Sequence, residues 1–115
     1  MISRKNRFHG YNSLRHVYRS GRMARGALFG VKVAPNPRRS DYRAAVVVSR
    51  KVNKSAVARN RMRRRLYESM QGLDIDEPFD IVITVFHNTV LETPSSELSG
   101  QLKKQLKDAG VIKTR

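Results

Sequence analysis

From Ser49 the chain reads Ser-Arg-Lys-Val-Asn-Lys-Ser-Ala-Val-Ala-Arg-Asn-Arg-Met-Arg-Arg-Arg to Arg65, a stretch with eight positive side chains and no negative one. Its candidate binding residues are Arg50, Lys51, Lys54, Arg59, Asn60, Arg61, Arg63, Arg64 and Arg65. These groups suit the capture of a polyanion: each cation that meets a phosphate releases a condensed counterion. A guanidinium fork adds bidentate contacts and a flat face that stacks on bases. Covalent chemistry finds little support. There is no cysteine, and His9, His16 and His87 are scattered without ligand spacing. No nucleophile motif or Gly-rich phosphate loop occurs. The acids Asp74, Asp76, Glu77 and Asp80 could be taken for a metal group, but alternating acids before a strand read better as a solvated loop. No metal site is assigned to the protein itself.

The overall charge agrees. The 115 residues include 24 Lys and Arg against 9 Asp and Glu, for a formal net charge of +15. Residues 1–65 hold 19 basic side chains and one acid, Asp41, whereas residues 66–115 hold 5 basic and 8 acidic ones. Such asymmetry implies one cationic face rather than a device for solubility. No apolar run approaches the roughly 18 residues of a membrane span, and no apolar stretch follows the basic N-terminus as a secretory signal requires. A cytoplasmic location and a single RNA-binding domain over 1–115, with a basic arm at 1–10, are expected.

The elements that must position the cations come next. Spacing predicts a helix over Ser55–Gln71, ended by Gly72, with Ala58, Met62, Leu66 and Met70 in one apolar stripe. Asn60 and Arg64 then point away from the core, and Arg59, Arg61, Arg63 and Arg65 flank the stripe. Like charges at i, i+4 (Arg59/Arg63 and Arg61/Arg65) oppose a helix by a few tenths of a kcal/mol per pair. A merely solvated face would intersperse Glu, so the run favours binding. Its N-terminus at Ser55 adds N–H donors for a phosphate.

A short helix is expected over Tyr11–Ser20, with Tyr11, Leu14, Val17 and Tyr18 on one face, Asn12 or Ser13 as cap and Gly21 as stop. Strands are expected at Leu28–Val33 and Arg43–Ser49, the second central because its Ala-Ala-Val-Val-Val run implies burial on both faces. Phe79–Phe86 is a further strand, and a short one could hide in residues 22–29. The last helix begins at Thr93-Pro94, with Thr93 as cap, carries Leu98, Leu102 and Leu106, and ends at Gly110. The whole is a small two-layer α+β sandwich of order α-β-β-(β)-α-β-α, with its helices on one side of a mixed sheet.

The run SRKVNKSAVARNRMRRRL resembles the signature region of the bacterial ribonuclease P protein: a strand, Ser-Lys-Lys, a short loop, then Arg-Asn-Arg-x-(Lys/Arg)-Arg on a helix. Arg59, Asn60, Arg61, Arg63 and Arg64 match it position by position. Arg7, the Tyr11–Gly21 segment, the Val46–Ser49 strand and the Asp80–Ile83 strand also fall where that family has equivalents. The resemblance implies an unusual left-handed β-α-β crossover, which general topology rules would reject. It implies a catalytic RNA with bound Mg2+ as partner, one protein per RNA, contacted by the Arg-Asn-Arg helix. It further implies that a cleft between the first helix and the sheet holds the 5′ leader of precursor tRNA, here through Arg7, Leu14, Tyr18, Lys32, Val47 and Ser49. The complex would hydrolyse the bond joining leader to mature tRNA, with no catalytic residue in this chain. The family often carries two Phe on the first helix and a Tyr on the next strand, where this chain has Leu14, Tyr18 and Lys32. Two rivals stay open: a ribosomal-type structural RNA-binding protein, and a nuclease whose own acids hold Mg2+.

Overall fold

The computed structural model of the chain describes residues 11–38, 41–73, 75 and 78–112. Its elements run α1 (Tyr11–Ser20), β1 (Arg22–Arg25), β2 (Phe29–Pro35), β3 (Arg43–Val47), α2 (Ala56–Met70), β4 (Phe79–Val85), a 3-10 turn (Asn88–Leu91) and α3 (Ser95–Asp108). The strand expected to hide in 22–29 is β1. The four strands lie in the order β1-β2-β4-β3. β1 pairs antiparallel with β2 and β2 with β4, whereas β3 runs parallel to β4 and reaches it through α2. The mixed sheet and the element order are those expected.

Period-two alternation sorts the strand residues onto two faces. Phe29, Val31 and Val33, Ala44 and Val46, and Ile81, Ile83 and Val85 point to one side, where Met62, Leu66 and Met70 of α2 and Leu98, Leu102 and Leu106 of α3 meet them in the main core. Ala34, Ala45 and Val82 point to the other side and enclose Val17 of α1, with Leu14 and Val47 packed beside them. The expectation that all helices lie on one side of the sheet is therefore corrected for α1. Its periodicity demanded an apolar partner but could not say which face supplied one; small side chains on the second face leave room for it. Gly21 brings α1 close to the sheet: a Cβ there would lie 2.5 Å from the Val17 carbonyl oxygen and 2.9 Å from that of Val33. Asn12 and Ser13 are already inside α1, so neither is its cap.

The central position expected for β3 is also corrected, because β3 is an edge strand. Ala44, Ala45 and Val46 are buried because α2 and α1 cover its two faces, not because strands flank it. The hydroxyl of Tyr67 in α2 accepts the Val46 N–H at 3.2 Å, satisfying a backbone donor on a buried strand. Asp80 is a third correction. It is not a solvated loop acid: its side chain is 4% exposed, and Arg43 Nε and Nη2 donate to its two oxygens, both at 2.9 Å. Asn36 Nδ2 adds a bond to Oδ2 at 3.1 Å. Asp74, Asp76 and Glu77 lie outside the described residues. At α3 the cap position is held by Pro94, which offers no side-chain bond, while Thr93 Oγ1 instead donates back to the Thr89 carbonyl at 2.7 Å.

Two substitutions test this account in urea denaturation. Arg43→Ala leaves a buried carboxylate without its ion pair and should lower stability by about 3 kcal/mol. Tyr67→Phe removes one buried acceptor and should cost about 1 kcal/mol. Equal, negligible losses would show that neither contact holds β3 in place.

Candidate nucleic-acid interface

α2 is capped as its sequence promises. Ser55 Oγ accepts the Ala58 N–H at 3.2 Å, and the helix closes at Gln71. Met62, Leu66 and Met70 are 0–1% exposed, and Ala58 packs against the same core. Burying three such side chains stabilises by roughly 1.5–3 kcal/mol each, several times the few tenths lost to each like-charged pair. Burial wins, and the helix forms with its cations in place.

The loop leading into α2 is held by Asn53. Its Oδ1 accepts the Ser55 N–H at 2.8 Å, and its Nδ2 donates to Asn88 Oδ1 at 3.0 Å. The second bond fastens the loop to the 3-10 turn that follows β4. His87 begins that turn, with Nδ1 accepting the Thr89 N–H at 3.1 Å. Asn53 and Asn88 were not among the expected site residues. An Asn two positions before a Ser cap is the Asx-turn signal that marks Asn53 in the sequence.

The arginines divide into two groups. Arg59 Nη1 donates to the carbonyls of Asn53 and Lys54, both at 3.0 Å. Arg63 Nη1 donates to Asn60 Oδ1 at 2.6 Å. Arg65 turns toward the protein, where its two Nη groups donate to the carbonyls of Val90 and Thr93. Arg65 thus braces α2 against the segment before α3. Arg61 and Arg64 are exposed, as are Arg50, Lys51 and Lys54. Among the described residues, none of these five has a hydrogen-bond or ion-pair partner. Arg50, Lys51 and Lys54 line an open depression of about 430 Å³. Every acceptor that holds Arg59, Arg63 or Arg65 is a neutral oxygen. Their charges are oriented without being neutralised.

On the second face of the sheet, Leu14 and Val47 pack on the small core around Val17, so the structure brings these two together. Tyr18 is 44% exposed. Lys32 Nζ donates to the Tyr18 carbonyl and lies 5.8 Å from the centre of its ring. That ammonium sits at the C-terminus of α1, where a cation complements the helix dipole. Ser49 is exposed where β3 runs into the basic loop. Arg7 lies outside the described residues. Among the described residues no three His, Asp or Glu side chains come together as a metal group, and no helix is long and apolar enough to cross a membrane.

Comparisons with known proteins agree with this geometry. The family profile described as Ribonuclease P matches residues 2–110. The ribonuclease P protein component of Pseudanabaena sp. (strain PCC 6903) is 33% identical over 115 residues, covering 97% of this chain and 97% of the relative. That of Thermus scotoductus is 39% identical over 94 residues, covering 82% of this chain and 54% of the relative, so the chain spans about half of that longer protein. In fold, the chain is similar to the Staphylococcus aureus RNase P protein, with a TM-score of 0.78 at 20% identity over 94% of this chain and 98% of that one. The Thermotoga maritima RNase P protein gives 0.69 at 20% identity, over 88% and 92%.

Thermal or urea unfolding separates the two groups of arginines. Arg65→Ala, which leaves two carbonyls without their donor, should destabilise by about 1–3 kcal/mol. Arg61→Ala and Arg64→Ala should stay within about 0.5 kcal/mol of the parent. A loss at Arg61 as large as that at Arg65 would contradict the division.

Proposed function

The chain belongs to the ribonuclease P protein component family, and from that premise we propose that it binds the catalytic RNA through α2 and its preceding loop, and the 5′ leader of precursor tRNA along the second face of the sheet. The observation that carries this reading is the set Arg50, Lys51, Lys54, Arg61 and Arg64: five exposed cations without a carboxylate partner among the described residues, on a helix and loop fixed by buried methionines and by Asn53. A surface already paired with its own acids would have little to give a phosphate. This one keeps its full charge and points it outward.

The physical work is electrostatic. Two RNAs repel one another, and a protein that places cations between them lowers that cost and releases counterions from both. Holding Arg59 and Arg63 in fixed directions reduces the side-chain entropy lost when RNA arrives. Tyr18 offers an aromatic face to an unpaired base, a contact worth about 1–3 kcal/mol. Cleavage itself is assigned to the RNA, with Mg2+ held in the RNA-containing complex, one protein per RNA, in the cytoplasm. The chain's part is affinity and placement of the substrate.

Reconstitution tests the proposal. The chain, a bacterial ribonuclease P RNA and precursor tRNA are mixed at low Mg2+, and leader removal should require protein and RNA together. Cleavage by the chain alone would identify a nuclease, and RNA binding with no effect on cleavage a structural RNA-binding protein. Arg61→Ala should weaken binding to the catalytic RNA by about 1–3 kcal/mol if its contact is bidentate, and should reduce the slope of log affinity against log salt by about 1. Tyr18→Ala should weaken precursor tRNA more than mature tRNA; equal losses would remove the leader from this face.

A further inference from the structure

The register of the sheet assembles a second group on the leader-facing side that lies apart from the α1 contacts. Arg25 of β1 pairs with Gly30 of β2, and Gly30 pairs with Thr84 of β4. Ala24 and Val85 point into the main core, so their neighbours Arg25 and Phe86 fall on the opposite face. Phe86 is half-buried, and its backbone N–H donates to the Leu28 carbonyl at 2.8 Å. Its ring lies against Gly30: a Cβ there would stand 3.1 Å from Cζ and 3.2 Å from Cε2. The absent side chain is what lets the ring approach the sheet. Above the ring sits the Arg25 guanidinium, 4.5 Å from the ring centre.

We propose that Arg25, set in place by Phe86, forms a subsite for one unpaired nucleotide of single-stranded RNA. The layers are sheet, phenyl ring, guanidinium and then nucleobase. A guanidinium plane stacks on a base as it does on a phenyl ring, and its edge N–H groups remain available to the adjoining phosphate. The cation–π contact holds the guanidinium in one orientation before RNA arrives, so little rotamer freedom is lost on binding. Arg25 is exposed and has no carboxylate partner among the described residues. Asp80, the acid that β4 contributes to this face, is already bound by Arg43. Charge on this face therefore favours an anion. β3 and β4 are parallel and leave the sheet at the same end, and the Asn53–Asn88 bond joins the segments that follow them. The subsite thus lies at the end of the sheet where the basic loop begins, and a strand crossing it runs toward Ser49 and Arg50.

The proposal rests on the leader reading above and deepens it, so the test must separate the two. The measurement is the affinity of the reconstituted holoenzyme for precursor tRNA and for mature tRNA. Arg25→Ala should reduce affinity for the precursor by about tenfold, within the range for one stacked base, and leave mature tRNA unchanged. Arg25→Lys, which keeps the charge but not the plane, should recover only part of the loss. Phe86→Leu should copy Arg25→Ala, whereas Phe86→Tyr, which keeps the ring, should restore precursor binding; unchanged mature tRNA affinity shows that each variant is folded. Arg25→Ala without effect beside a Tyr18→Ala that removes the precursor's advantage would overturn the subsite and leave the leader reading standing. Equal losses for both tRNAs would also overturn it. A parent holoenzyme that binds both tRNAs equally would overturn the subsite and the leader reading together.

Discussion

Mutual repulsion along α2 has to be overcome before any of this surface can exist. Five arginines within Arg59–Arg65 would splay or unwind an isolated helix of this length, which is marginal in water even without like charges. Tertiary burial overcomes it. Met62, Leu66 and Met70 lock one edge of the helix into the sheet, and Ser55 and Asn53 secure its entrance. The remaining structure supports that arrangement. α3 widens the core beneath α2, the 3-10 turn holds the loop, and the Arg43–Asp80 pair ties the edge strand β3 to β4. The fold is a means of keeping a cationic rod rigid and unquenched.

The choice of acceptors matters as much as the number of donors. Carboxylates would hold Arg59, Arg63 and Arg65 more strongly than the carbonyl and amide oxygens that do so. They would also cancel the field that attracts a polyanion. Neutral acceptors fix geometry at modest energy and leave the potential intact. Asp80 does form an ion pair, but with Arg43 on the far side of the sheet from α2, where it serves cohesion instead. Cohesion and attraction are thereby separated in space.

Much of this was legible from the residues. The boundaries of α2 followed from a Ser cap, a stripe at helical spacing and a breaker, because local rules and tertiary packing agree there. The position of β3 was not legible. An unbroken Ala-Val run reports burial above and below a strand and is silent on its hydrogen-bonding edges, and here α2 and α1 supply the cover. The distinct role of Arg65 was equally hidden. It has the same residue type and flank as Arg61, and only the arrival of Val90 and Thr93 beside it, 25 and 28 residues along, turns it inward. Arg25 lies in β1 and Phe86 just past the end of β4, strands that meet only through β2, so no local pattern joins them. The cationic segment was legible because its signal is a contiguous run; the contacts that need a known register were not.

The parallel pairing of β3 and β4 carries one further consequence. α2 must return the chain from the end of β3 to the beginning of β4. Its 15 residues span about 22 Å, close to the roughly 23 Å of the seven-residue β4. A single inserted residue would rotate everything beyond it by 100° and swing either the methionines out of the core or the arginines into it. Evolution is free to exchange letters along this helix but not to change their number, so drift in length should accumulate in the connections around Pro37 and Leu73 while the span from Ser55 to Gln71 stays constant.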